Sequence, residues 1–170
     1  MLVDLSLPLE EGMPGFPGYP GFEGERLQTY ETDGKLSRRF STPTHQGTHI
    51  DAPAHFDPDG ATIDELPLEM FVGPATVVDL RAARGEPITA EMLADAAPDV
   101  PPGARLVVLT GDVDARFYEP DFFDQAAVLT ESAAEWLLEK RVSLLANDFL
   151  TEAIDQPDRQ FALQLARFRE

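Results

Sequence analysis

The stretch RLVVLT occupies residues 105–110 and is closed by Gly111. A nearly continuous apolar run of this kind predicts a β-strand that is covered on both faces, as strands of parallel sheets are. Two similar short runs lie on either side of it in the sequence, PATVVDL at residues 74–80 and VSLLAN at residues 142–147. We therefore expect three strands in this part of the chain.

Helical patterns separate these three strands. Residues 89–96 and residues 130–141 are rich in helix-forming side chains, and the two segments begin at Thr89 and Thr130. Threonine is a residue type that caps helix N-termini, so both positions are predicted caps. The order strand, helix, strand, helix, strand predicts parallel βαβ units in a mixed α/β domain.

The first 67 residues differ from the rest because they hold many glycines and prolines. Such a segment predicts short strands joined by ordered loops, with strand candidates at residues 2–7 and 36–42. At the other end, residues 161–168 predict a closing helix. We treat residues 1–170 as a single domain.

Composition excludes several classes of function. The 170 residues carry 31 acidic against 13 basic side chains, a net charge of −18, so neither nucleic acid nor an anionic membrane is an expected partner. The chain has no cysteine, which rules out disulfides, thiolate metal sites and a cysteine nucleophile. The sequence shows no signal peptide and no apolar run of membrane-spanning length, and we expect a cytoplasmic protein.

All three histidines, His45, His49 and His55, lie within the eleven residues HQGTHIDAPAH. Grouped histidines with an aspartate are typical of metal ligation. These three and Asp51 are separated by even numbers of residues, so an extended segment would project all four side chains to one side.

A helix would serve this ligand set poorly, because Asp51 would point away from the histidines. Gly47 and Pro53 also disfavour a helix interior, so we place residues 45–51 on a strand or an extended loop. Two imidazoles and one carboxylate leave coordination positions open for water and substrate, the arrangement of catalytic sites. Zn²⁺ fits this set best, and Mn²⁺ is the second candidate.

A metal held in this way would activate water and polarise a carbonyl oxygen, which is the chemistry of amide or ester hydrolysis. His55 would then either accept the proton of the water or bind a second metal bridged by Asp51. The opposite interpretation is that the histidines only pack, in a structural or interaction protein.

The string H-x-G-T-H-x-D-x-P-x-H at residues 45–55 resembles the defining motif of the bacterial cyclase-like metal-dependent hydrolase family, of kynurenine formamidase and isatin hydrolase type. The opening residues 1–23 are similar to the first strand of the family and its W-P-G-D-P turn, here FPGYP at residues 16–20. Residues 110–155 are similar to the segment that leads through a helix to the G-I-D strand of the family.

This resemblance implies a swivelling β/α barrel-like fold, usually in a homodimer or larger homo-oligomer. It implies a divalent metal that hydrolyses a small amide, N-formyl or lactam substrate, as in tryptophan catabolism. By position, His45, His49 and Asp51 would bind the first metal, His55 would be a second-metal ligand or the general base, and Phe16 would line an aromatic substrate pocket.

The family also draws a histidine and a glutamate from its C-terminal part, whereas here no histidine follows His55. We therefore expect a shortened C-terminal part. The alternative function is a catalytically impaired relative that binds a metal or a small ligand.

Overall fold

The structure is a computed structural model, and it describes residues 1–151. The chain divides into two compact units, Met1–Asp51 and a second unit that begins at Ala52. None of the helices in residues 1–151 combines the length and apolar character that a membrane crossing requires.

The first unit contains β1 (Glu23–Gln28), α1 (Tyr30–Asp33) and β2 (Ser37–Ser41). The second unit contains β3 (Thr76–Asp79), α2 (Ala90–Ala96), β4 (Arg105–Leu109), α3 (Asp112–Arg116), α4 (Phe122–Gln125), α5 (Glu131–Glu139) and β5 (Leu144–Asn147). Short 3₁₀ turns lie at Pro53–His55, Ile63–Glu65, Leu68–Met70 and Arg81–Ala83.

A three-stranded parallel sheet organises the second unit. Its order is β3-β4-β5, so the predicted central strand at residues 105–110 is confirmed. Leu106 and Val108 on this strand are fully buried, whereas Val107 and Leu109 are half-buried. The strand is therefore tightly covered on one face and only partly covered on the other.

Helices α2 and α5 form where the sequence predicts them. Thr89 caps α2 by accepting a hydrogen bond from the Met92 amide, and Thr130 caps α5 by accepting one from the Ala133 amide. Capping by a threonine oxygen satisfies an amide that the helix itself cannot pair. Both helices contribute to one apolar core with the sheet, formed by Val78, Leu80, Ile88, Leu93, Leu106, Val108, Leu129, Ala133, Trp136 and Leu137.

The first unit is built around an antiparallel pair, β1 with β2, whose side chains are almost all exposed or half-buried. This pair confirms the predicted strand at residues 36–42. The strand predicted at residues 2–7 is wrong, because this segment pairs with no strand and instead lies along a loop of the same unit.

The mixed α/β class is confirmed, but a barrel is not. Within residues 1–151 the strands form one two-stranded and one three-stranded sheet, and neither closes on itself. The closing helix predicted at residues 161–168 lies outside the described residues.

Candidate metal centre

The residues that could hold a metal lie on a bent loop, residues 45–51, which we call the histidine loop. Of the two predicted alternatives, a strand or an extended loop, the structure has a loop, and its backbone is bent over residues 44–48. Gly47 lies in this bend with a φ of +60°, a left-handed conformation that residues with a side chain rarely adopt. Because the loop is bent, the candidate ligand side chains meet for a different reason from strand alternation.

Three side chains of this loop converge. His45 Nδ1 lies 2.7 Å from Asp51 Oδ1, and His49 Nε2 lies 3.3 Å from the same oxygen. The two histidine nitrogens are themselves 3.3 Å apart. Within residues 1–151, these three residues are the group whose ligand atoms lie close enough together to hold a metal ion.

The separations suit a small divalent cation. Ligand atoms bound about 2.0–2.1 Å from a tetrahedral zinc ion lie roughly 3.3–3.4 Å from one another. The two separations that involve His49 Nε2 match this spacing, and the third is the shorter distance of a direct hydrogen bond. The side chains of the three residues are 25–40% exposed, so the site has access to water and to a small molecule.

A hydrogen bond orients the His49 ring. Its Nδ1 lies 2.8 Å from the carbonyl oxygen of Gly47, to which it donates. In a neutral imidazole this places the proton on Nδ1 and leaves the lone pair of Nε2 directed at the other two ligands. A backbone carbonyl behind a histidine is the usual way in which proteins fix the tautomer of a metal ligand.

The carboxylate also changes the acidity of this ring. Hydrogen bonding to Asp51 raises the pKa of His49 above its ordinary value of 6.5, and the Gly47 carbonyl and the negative charge of Asp51 act in the same direction. Partial burial of the ring acts against them. A negatively charged neighbour therefore favours a cation at this position, whether a proton or a metal ion.

The N-terminal segment supports the histidine loop from behind. Thr48 Oγ1 accepts a hydrogen bond of 2.9 Å from the Leu7 amide. A Cβ built on Gly47 would lie 3.1 Å from both Leu9 and Met13, so this segment packs closely on the bend. Contacts between two distant stretches hold a loop more firmly than its own residues can.

Phe16 lies in a tight turn of the same unit. The Tyr19 amide donates to the Phe16 carbonyl at 3.0 Å, and Gly18 takes a φ of +87°. The Phe16 and Tyr19 rings are 5.6 Å apart between centroids, and both are partly exposed. We call residues 16–19 the aromatic turn, which is the turn that the sequence predicts there.

His55 belongs to the second unit. It ends the 3₁₀ turn Pro53–His55 and packs its ring against Phe56, with centroids 4.1 Å apart. The structure thus brings together His45, His49 and Asp51, while the role predicted for His55 stays a prediction.

Sequence reasoning missed Gln46, which lies between His45 and Gly47 in the histidine loop. Its side chain is buried, and its Nε2 donates to the Pro14 carbonyl at 2.8 Å. A polar residue inside a ligand motif gives no signal of its burial, because the contact joins positions 32 residues apart in sequence.

Residues 3–153 match the family model described as "Putative cyclase". The chain is 35% identical over 164 residues to a kynurenine formamidase of Paracidovorax citrulli, covering 93% of this chain and 72% of that protein. In shorter matches to other curated kynurenine formamidases, the aligned stretch covers 38–39% of the relative.

Two solved structures share the fold. One is a predicted metal-dependent hydrolase from Bacillus stearothermophilus, with a TM-score of 0.74, 25% identity and coverage of 96% of this chain and 77% of that one. The other is isatin hydrolase A from Labrenzia aggregata, with a TM-score of 0.70, 26% identity and coverage of 85% and 66%.

A mixed α/β fold with a convergent His-His-Asp group defines a candidate metal-dependent hydrolase. With the family model matched over residues 3–153, the chain belongs to the cyclase family.

Proposed function

We propose that this chain is a metal-dependent hydrolase that cleaves a carbon–nitrogen bond of a small N-formyl, amide or lactam substrate. The observation that carries this proposal is the convergence of His45, His49 and Asp51 in a member of the cyclase family. Relatives named kynurenine formamidase and isatin hydrolase support amide chemistry on non-peptide bonds. They do not favour the alternative of a catalytically impaired binding protein.

The three converging residues would hold the divalent metal. Zn²⁺ is the ion we propose, because two imidazoles, one carboxylate and separations near 3.3 Å suit its tetrahedral shell, and Mn²⁺ is the second candidate. When bound, such an ion activates water and polarises a carbonyl oxygen.

The residues of the chain supply orientation and proton transfer. The Gly47 carbonyl holds the His49 ring, and Asp51 supplies the negative charge that favours a cation. We assign His55 the role of general base or second-metal ligand because of its place in the family motif. As a base it would accept a proton from the attacking water and return it to the departing nitrogen.

Phe16 is the proposed contact for an aromatic substrate. Its ring is 39% exposed and packs at an interplanar angle of 45° against Tyr19, so the aromatic turn offers two exposed rings. An N-formylated aromatic amine of tryptophan catabolism is the first substrate to test, and a lactam such as isatin is the second.

Formate release and lactam opening by the metal-loaded chain would test this proposal. We expect turnover by the wild type and a loss of at least about a hundredfold in His49→Ala, because a ligand of the metal is removed. Asp59→Asn changes an exposed carboxylate near the motif and should leave the rate unchanged. Equal turnover in His49→Ala and in the wild type would contradict the proposal.

A substitution at His55 separates its two proposed roles. If His55 is the general base, His55→Ala keeps the metal content of the wild type and loses rate. If it binds a second metal, His55→Ala loses one metal equivalent as well. Unchanged rate and unchanged metal content would exclude both roles.

We also propose a homodimer, located in the cytoplasm. The β1–β2 pair leaves an exposed surface on which Phe22 stacks against Phe40, and Arg26 lies directly opposite Arg38. Aromatic and arginine side chains are enriched in interfaces, and a second copy of a chain with a net charge of −18 offers acidic partners.

Sedimentation would test the homodimer. We expect the mass of two chains for the wild type and of one chain for Phe40→Glu, because this substitution places a carboxylate in the proposed interface. Val72→Glu alters an equally exposed apolar residue of the second unit and should remain dimeric. A wild type with the mass of one chain would contradict the proposal.

A further inference from the structure

Gln46 is a buried polar residue inside the histidine loop. It is 5% exposed, and its side-chain nitrogen donates to the Pro14 carbonyl at 2.8 Å. Its side-chain oxygen, Oε1, is also buried, and residues 1–151 offer it no hydrogen-bond partner. A buried acceptor without a partner is unfavourable, and such groups in native proteins call for an explanation.

The oxygen fills the space beside Gly15. A Cβ built on Gly15 would lie 2.9 Å from Gln46 Oε1, closer than real Cβ atoms approach. The nitrogen of the Gln46 amide is therefore bonded to Pro14, and its oxygen occupies space that a side chain at residue 15 would need. Pro14 and Gly15 immediately precede the aromatic turn.

The contact belongs to an ordered series. Along the histidine loop, Thr48 accepts a hydrogen bond from Leu7, the side chains of Leu9 and Met13 lie beside Gly47, and Gln46 donates to Pro14 and lies beside Gly15. From Thr48 back to Gln46, the neighbours move forward along the N-terminal segment, from Leu7 to Gly15. Gln46 is therefore the member of this series next to His45, and its own neighbours are the residues next to the aromatic turn.

We propose that Gln46 is a positioning residue that fixes the aromatic turn relative to the metal ligands and so sets where an aromatic substrate is held. This inference rests on the proposed hydrolase function. Gln46 is not one of the three converging residues, and its side-chain nitrogen is bonded to Pro14. It acts through Phe16 and Tyr19.

Hydrogen exchange on the metal-free chain tests, without a measurement of turnover, whether Gln46 holds the aromatic turn in place. Gln46→Met keeps the length and approximate volume of the side chain but cannot donate to Pro14. We expect the backbone amides between Gly15 and Tyr19 to exchange about tenfold faster in this variant, because local opening becomes easier. Gln125→Met makes the same change at an exposed position of α4 and should leave these amides unchanged.

Kinetics test the consequence for substrate. With a substrate that the wild type hydrolyses, Gln46→Met should raise KM about tenfold while kcat stays within about threefold, because substrate placement is weakened and the metal ligands remain. The metal content should equal that of the wild type. In Gly15→Ala the added methyl group would displace the side-chain amide of Gln46, so this variant should show the same pattern.

Folding is checked separately through Trp136, the single tryptophan, which is buried in the core of the second unit. Its fluorescence and the melting temperature should match the wild type in both variants. Unchanged exchange between Gly15 and Tyr19 would overturn the proposal, and so would a joint loss of metal and kcat. If the wild type hydrolyses no tested amide, the proposed function fails, and the exchange measurement still decides whether Gln46 fastens the turn.

Discussion

At the scale of single residues, His49 shows how the backbone can orient a proposed ligand. The carbonyl of Gly47 accepts a hydrogen bond from Nδ1, so Nε2 faces His45 and Asp51 with its lone pair. Gly47, which supplies this carbonyl, also adopts the positive φ of the bend. The glycine of the motif thus contacts a proposed ligand two residues away.

Metal affinity should depend on pH through His49. A metal binds the neutral imidazole, while Asp51 raises the pKa of His49 above 6.5 and so favours the proton. The apparent affinity for Zn²⁺ should therefore fall as the pH falls through this raised pKa, by up to about tenfold per pH unit for one displaced proton. Competition titrations between about pH 5.5 and about pH 8.5 measure this, and the prediction fails if the affinity is independent of pH.

The metal-free chain should show the opposite dependence at this site. A raised folded-state pKa means that the protonated ring paired with Asp51 stabilises the folded state below about pH 6.5, and that this contribution disappears as the pH rises through the folded-state value. The two dependences have opposite signs because the proton and the metal compete for one nitrogen.

The proposed ligands are the part of the candidate site that the sequence indicates, because histidine and aspartate carry their chemistry in their side chains. Gln46 was missed because burial depends on Pro14 and Gly15, which are distant in sequence. The turn that contains Tyr19 is a different case, because the glycine and prolines of FPGYP predict it from local preferences alone.

At the scale of elements, local signals were sufficient for α2, α5 and the three parallel strands, but they did not predict the short helices α1, α3 and α4. Thr89 and Thr130 lie at the two predicted caps, and the apolar run at residues 105–110 forms the central strand. For the histidine loop, even spacing predicts a strand or an extended loop, and the structure has a bent loop. Leu9 and Met13 lie beside this bend, a proximity that periodicity cannot reveal.

Gly60 should be essential for the turn that carries His55. A Cβ at this position would lie 2.7–2.8 Å from backbone atoms of Pro53 and Ala54, which cannot move aside as a side chain can. Gly60→Ala should lower the free energy of unfolding by about 1–3 kcal/mol, the usual cost of overpacking.

Gly21→Ala is the matched control, because a Cβ there meets nothing within 4 Å and the backbone is not left-handed. Denaturant melts of both variants measure the difference. Equal stability of Gly60→Ala and Gly21→Ala would show that the turn accommodates a methyl group.

At the scale of the whole molecule, charge is the dominant feature. The chain has 31 acidic and 13 basic residues, and the few ion pairs in residues 1–151, such as Arg81 with Asp79, lie at exposed positions. Hydrogen bonding to Arg81 lowers the pKa of Asp79 to about 2. Exposed pairs contribute little to stability, so they offset little of the repulsion among the remaining carboxylates.

Salt should therefore stabilise the metal-free chain. Raising NaCl from about 10 mM to about 0.3 M shortens the Debye length from about 30 Å to below 10 Å and screens this repulsion, so the melting temperature should rise by several degrees. KCl should give the same rise, because screening does not depend on the identity of the cation. An unchanged or lower melting temperature would contradict this view of the charge.

The central claim is that His45, His49 and Asp51 hold a divalent metal, and elemental analysis of the dialysed protein tests it most directly. We predict at least one equivalent of metal per chain in the wild type and in Asp59→Asn, and loss of that equivalent in His49→Ala. A wild type that retains no metal after reconstitution with Zn²⁺ or Mn²⁺, or a His49→Ala variant that retains as much as the wild type, would contradict the account.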